Sequence, residues 1–229
     1  MRKLFPLLFV WSLLLAAGSL LQADGVLANA AFSSPAVGGV ASFYGSSTMP
    51  GWTITSGSVD VVNLASQPGY VGGFLGNPQA ADLNGYIGYT PTGCAATIYQ
   101  DISTTPGDFY TYSFGLAANT AGGPLTKTMD IFWGDPGGSL SLVGSYSSSS
   151  AAFTTYNFTV GADAPLSRLK LVSTTDTTSS WGPYVDFVGT PIITPEPSTL
   201  GQIGMGTLIF CALFFKRLLP LKKKVCKPN

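Results

Sequence analysis

Tyr110-Thr111-Tyr112-Ser113-Phe114-Gly115-Leu116-Ala117 is the stretch on which the fold turns. Large apolar residues alternate with small or polar ones, a period of two that predicts a strand with one buried face. The same alternation recurs at Val59 and Val61, along Ile98 to Ile102, at Met129, Ile131 and Trp133, at Tyr156, Phe158 and Val160, at Leu169 and Leu171, and over Tyr184 to Val188. Turn signals separate these runs: Thr105-Pro106-Gly107-Asp108, Gly122-Gly123-Pro124, Asp135-Pro136-Gly137-Gly138 and Gly161-Ala162-Asp163. No stretch of the domain shows helical spacing. Short strands punctuated in this way predict an all-β antiparallel β-sandwich of two sheets. Gly72-Gly73-Phe74-Leu75-Gly76 reads as a loop and not as a phosphate cradle, because no helix-forming segment follows it.

Outward from this core, both ends of the chain read as targeting segments. Arg2 and Lys3 precede an apolar run from Leu4 to Leu21, the pattern of a secretory signal peptide and its signal helix, with cleavage expected after Ala28 and Ala30 as the second choice. At the other end, Leu200 to Phe215 is 16 residues without a charge. As a helix it would span about 24 Å, short of the ~30 Å hydrocarbon core, so it crosses by thinning the bilayer or by recruiting Ser198 and Thr199. Lys216, Arg217, Lys222, Lys223, Lys224 and Lys227 follow and place the C-terminus on the cytoplasmic side. The expected organisation is a signal peptide at 1–28, an extracellular β-sandwich domain at 29–194, and a C-terminal segment at 195–229 with its transmembrane helix at 200–215 and basic tail at 216–229.

Charge and missing residue types narrow the function. The central domain carries nine Asp and no Glu against Lys127, Arg168 and Lys170, a formal charge of −6, which suits nucleic acid poorly. The chain has no His, which excludes imidazole catalysis and imidazole zinc sites. Cys211 lies in the apolar run and Cys226 in the basic tail, so Cys94 has no disulfide partner within the domain. Asn157-Phe158-Thr159 matches a glycosylation sequon by chance, since it falls inside a strand pattern.

Two resemblances add to this reading. Pro195-Glu196-Pro197, the short span with Gly201, Gly204 and Gly206, and the terminal basic cluster occur together, and the segment resembles the PEP-CTERM sorting signal of Gram-negative bacteria. The resemblance implies a membrane-held intermediate cut by an exosortase-type membrane transpeptidase; a plain single-span anchor is the other reading. Pro50-Gly51-Trp52 through Asp60, Ala81-Asp82-Leu83-Asn84-Gly85, Gln100 to Phe114, Gly122-Gly123-Pro124 with Lys127-Thr128, and Gly182-Pro183-Tyr184-Val185-Asp186 look like the DUF642-type, "choice-of-anchor C" domains. That resemblance implies a galactose-binding-like jelly roll on an extracellular or cell-wall protein.

Such jelly rolls often tie the first strand to the last through calcium, using a Glu that follows an Asn-x-x-Phe frame. Here Asn29-Ala30-Ala31-Phe32 keeps the frame but Ser33 stands where the Glu would be, leaving Asp186 as the candidate calcium ligand. A glycosidase needs two carboxyls at a set separation, and no two of the nine Asp stand out for that role. Aromatic residues are the better lead. Tyr70, Tyr86, Tyr89, Trp181 and Tyr184 fall in or beside Gly-rich loops, where rings can stack on sugars, whereas Trp52 and Trp133 sit in strand patterns and belong to the core. The expectation is an exported, non-enzymatic envelope or matrix protein associated with exopolysaccharide or biofilm. The alternatives are a carbohydrate-binding module with a calcium-stabilised jelly roll and, last, a glycan-acting hydrolase.

Overall fold

A computed structural model describes residues 24–44, 48–67, 73–86, 93–187 and 189–195. The signal helix, the transmembrane run Leu200 to Phe215, the basic cluster from Lys216 to Lys227, and Glu196 and Pro197 lie outside the described residues. Among the described residues no helix is long and apolar enough to cross a membrane.

Among the described residues thirteen strands run in chain order: β1 (Val40–Tyr44), β2 (Thr48–Met49), β3 (Trp52–Ser56), β4 (Ser58–Asn63), β5 (Gln79–Asp82), β6 (Thr97–Ser103), β7 (Phe109–Ala118), β8 (Lys127–Gly134), β9 (Ser141–Ser148), β10 (Thr154–Gly161), β11 (Leu166–Ser173), β12 (Pro183–Phe187) and β13 (Ile192–Thr194). They form two antiparallel sheets. The front sheet has the order β1-β4-β5-β12-β7-β10, with β13 also beside β7; the back sheet has the order β2-β3-β6-β11-β8-β9. The expected all-β sandwich is therefore the observed architecture.

The alternation in β7 explains the core. Tyr110, Tyr112, Phe114 and Leu116 are fully buried between the sheets, where Phe114 stacks on Phe187 and Tyr112 meets Trp133 and Phe158. Met129, Ile131, Leu169 and Leu171 face them from the back sheet. Trp52 and Trp133 lie in this core as their strand positions predict, each with its indole N–H donating to a backbone carbonyl.

The front sheet departs from simple one-sided burial. Its outer face is itself partly covered, so every residue of β5 and β12 is buried. Val62, Leu64, Ala80, Ala117 and Tyr184 form a second apolar cluster there, with Phe153 packed against it. Gly115 makes room for this cover: a Cβ on it would sit 2.5 Å from the Phe74 ring and 2.9 Å from the Phe153 ring.

The segment before β1 is stapled to the domain. Leu27 is buried in the core, its N–H donates to Gly189 O, and the Tyr112 hydroxyl donates to Gly25 O. The Gln100 amide bridges the Ala28 N–H and carbonyl. Asp24 to Ala28, placed in the leader by a cut after Ala28, thus pack as part of the domain in this structure. Both described ends lie beside the start of β7, because Gly25 adjoins Tyr110 and Pro191 while Thr194 pairs with Phe109.

Candidate functional site

The covering loops stop short of one end of the front sheet and leave a cleft of about 250 Å³. Its floor follows from strand register. Ser42, Asp60, Asp82, Tyr184 and Ala117 lie in one row, each directly opposite the next on β1, β4, β5, β12 and β7. Directly opposed residues have Cβ atoms roughly 4.5–5.5 Å apart, so Asp60 and Asp82 set two carboxylates side by side on the floor. Val62 and Tyr184 supply apolar floor, Gln67 and Asn119 supply amides, and Tyr86 and Trp181 stand at the rim.

The loop that carries Trp181 is fixed by hydrogen bonds. Asp82 is 1% exposed and accepts from three N–H donors: Asn84 and Gly182 backbone on one oxygen, Asn119 Nδ2 on the other. Asn84 in turn donates to Asp176 O and Ser179 O and accepts from the Ser173 hydroxyl. The Trp181 N–H donates to Ser179 Oγ. A Cβ on Gly122 would lie 2.8 Å from the indole of Trp181, so the absence of a side chain there lets the ring rest against the Gly122 backbone. The platform is thereby set before any ligand arrives.

Burial pushes the Asp82 carboxyl up to about 7, against its hydrogen bonds from Asn119, Asn84 and Gly182, and the neighbouring Asp60 adds to the rise. Burial also raises Asp60, opposed by the Ser42 hydroxyl and the Tyr86 N–H. One Asp60 oxygen and the Ser58 hydroxyl are buried without a hydrogen-bond partner, and both lie 2.9 Å from where a Cβ on Gly85 would be. Buried Cys94 sits behind this row, its Sγ 3.8 Å from Ser180 Oγ.

Of the aromatic residues singled out from sequence, Tyr86 and Trp181 are 58% and 39% exposed and share this cleft. Tyr184 reaches the same cleft but differs from expectation: it is 1% exposed, held in β12 beneath the covering loops, and forms floor instead of a free stacking ring. Tyr70 and Tyr89 lie outside the described residues. The Asp60 and Asp82 pair escaped sequence reading. The signal was present, since Asp60 sits between inward Val59 and Val61, and Asp82 between inward Ala81 and Leu83, which puts both on the outer face.

Asp186 lies two residues beyond Tyr184 on the same face. Asn77 Nδ2 donates to one of its oxygens at 2.8 Å and also lies 2.5 Å from Ala31 O and 2.8 Å from Gln79 O. Two N–H bonds cannot serve three acceptors, and the second Asp186 oxygen is buried with no partner. Burial pushes this carboxyl up to about 7, with Asn77 and the Phe187 N–H opposing. The backbone carbonyls of Ala31 and Gln79 surround Asn77 Nδ2, which bonds the partnered Asp186 oxygen, so the orphaned oxygen is the observation that fits a hard cation such as calcium. Among the described residues no three acidic or sulfur side chains gather around one point, so one carboxylate and neutral oxygens would have to hold it.

A family model described as "Protein of unknown function (DUF642)" matches residues 25–190. No curated protein matches the chain. Among solved structures, TmCBM61 in complex with β-1,4-galactotriose is similar at 11% identity and a TM-score of 0.46, over 76% of this chain and 100% of that one. The C-terminal family 22 carbohydrate-binding module of Clostridium thermocellum Xyn10B is similar at 12% identity and a TM-score of 0.42, over 77% and 98%. The cleaved adhesin domain of Lys-gingipain from Porphyromonas gingivalis is similar at 9% identity and a TM-score of 0.45, over 69% and 99%. Likeness at this level leaves function to be read from the cleft itself.

Proposed function

Starting from a chain that belongs to the DUF642 family, we propose that the domain is a non-catalytic carbohydrate-binding module of an exported protein. One observation carries this reading: two exposed rings, Tyr86 and Trp181, frame a cleft whose floor offers carboxylates and amides. Rings stack on the apolar faces of pyranoses, while side-chain oxygens and amides bond their hydroxyls. The rigid loop beneath Trp181 lowers the entropy cost of binding.

The carboxylate pair speaks for binding over hydrolysis. A glycosidase acid must hold a proton aimed at the leaving oxygen. Asp82 instead uses both oxygens as acceptors for three N–H groups that tie the ends of β5, β7 and β12 together. Its role in this arrangement is to hold the Trp181 loop.

Calcium at Asp186 is a second reading, favoured by the orphaned carboxylate oxygen. Asp186 with the carbonyls of Ala31 and Gln79 would hold the ion once the Asn77 amide nitrogen that now bridges them gave way, and the ion would supply charge neutralisation and tie the N-terminal segment to β12. With a single carboxylate, affinity falls in the range of weak extracellular sites, roughly 0.1–1 mM. For the chain ends, we propose export through the N-terminal signal peptide. Exosortase-type cleavage near Pro195-Glu196-Pro197 then releases the domain to the surface of a Gram-negative cell, where exopolysaccharide is its partner. The order of tripeptide, short span and basic cluster supports this.

The test is co-sedimentation with the producing cell's exopolysaccharide. Saturable pelleting that is lost in Trp181→Ala is the expected result; equal pelleting of wild type and variant overturns the assignment to this cleft.

A further inference from the structure

Resting on the carbohydrate-binding reading, the geometry points to a narrower ligand class: a glycan bearing primary ammonium groups, such as a deacetylated hexosamine polymer, seated with its cation over Asp60 between Tyr86 and Trp181. The cleft sets two carboxylates opposite each other in adjacent strands. Among the described residues no lysine or arginine lines it. The cations of the domain do not reach the cleft lining, although Lys127 lies close enough to act on Asp82. Arg168 pairs with Asp101 at 2.6 Å on the outer face of the back sheet, Lys170 lies over the Phe132 ring there, and Lys127 is fully buried with its Nζ donating to Gly122 O.

Lys127 already acts on Asp82 electrostatically, which leaves Asp60 as the carboxyl of the pair at which a ligand cation gains most. Asp82 is spent on three N–H donors, whereas Asp60 lines the cleft and accepts from the Ser42 hydroxyl and the Tyr86 N–H, its unpartnered oxygen being buried. A ligand ammonium there makes a charge-assisted hydrogen bond in a cleft that two aromatic side chains also line, and aromatic rings favour cations electrostatically. Uronate glycans meet the opposite field and are repelled.

The experiment measures binding of the full chain in detergent to hexamers of glucosamine, N-acetylglucosamine and galacturonate at about pH 6. The glucosamine hexamer is expected to bind about tenfold more tightly than its acetylated counterpart, with galacturonate weakest. Asp60→Asn is expected to erase that tenfold preference and leave the acetylated probe unchanged, while Trp181→Ala weakens both. Added salt supplies an arm that needs no variant: it should weaken the glucosamine probe and spare the neutral one. Equal binding of the two hexosamine probes, or equal losses for both in Asp60→Asn, overturns the ammonium assignment. In that case Trp181-dependent binding of the neutral probe keeps the carbohydrate-binding reading standing. Binding of none of the three overturns both.

Discussion

Asp186 offers the sharpest test of how burial controls this domain. Its carboxyl is raised from 3.8 to about 7 because burial outweighs the hydrogen bonds from Asn77 and the Phe187 N–H. A carboxyl raised on folding stabilises the folded state fully below its unfolded value, and that contribution is lost as pH climbs towards the folded value. The window is therefore 3.8 to about 7, with the metal-free domain more stable on the acid side. About three units at 1.36 kcal/mol each gives an upper value of ~4 kcal/mol for ionised Asp186, or roughly 10 °C in Tm for a domain of this size. Asp82 is raised over the same window, so Asp186→Asn should remove only part of the alkaline loss. Thermal unfolding in chelator at about pH 5 and about pH 8 is the assay. Wild type should melt lower at the alkaline pH, and Asp186→Asn should narrow the gap. Millimolar calcium should raise the alkaline Tm of wild type by a few degrees and leave Asp186→Asn unmoved. A wild-type domain equally stable at both pH values in chelator, or more stable at the alkaline one, would refute the reasoning.

Other substitutions test separate parts of the structure. Gly122→Ala should displace the Trp181 ring and weaken glycan binding roughly tenfold with little change in Tm, read by titration calorimetry. Asp82→Ala strands three N–H donors and should cost about 3 kcal/mol, measured by denaturant unfolding. A chain beginning at Asn29 loses buried Leu27 and the bonds of Gln100 to Ala28, and should be about 3 kcal/mol less stable than one beginning at Asp24. Replacing Pro195-Glu196-Pro197 by alanines should leave the protein at full length in the membrane fraction; normal release on immunoblots sinks the sorting proposal.

The sandwich was legible because a strand with one buried face writes its period into the chain, as Tyr110, Tyr112, Phe114 and Leu116 do. The covered outer face was not, because its cover comes from rings remote in sequence: Phe74 and Phe153 meet over Gly115, and neither signals this locally. Tyr184 is buried for that reason, since proximity to Gly182 suggests exposure while the cover denies it. Tyr86 and Trp181 were legible as rings near glycines, but their convergence needs the register of four strands. The same holds for Asp60 and Asp82, 22 positions apart in the chain and adjacent only through the β4–β5 pairing.

The pairing of β12 and β13 with β7 has a mechanical consequence. The cleft lies by Ala117 and Tyr184, whereas the chain leaves the domain at Thr194, opposite Phe109. Eight residues of β7 separate the two levels, about 27 Å at 3.4 Å per residue. A glycan pulled away from an anchored C-terminus therefore applies tension along β12, β13 and β7. Antiparallel ladder bonds run perpendicular to their strands, so this load shears many of them at once and cannot peel them one by one. An attachment at Thr194 thus gives the domain its strongest pulling direction on the line between its tether and its cleft.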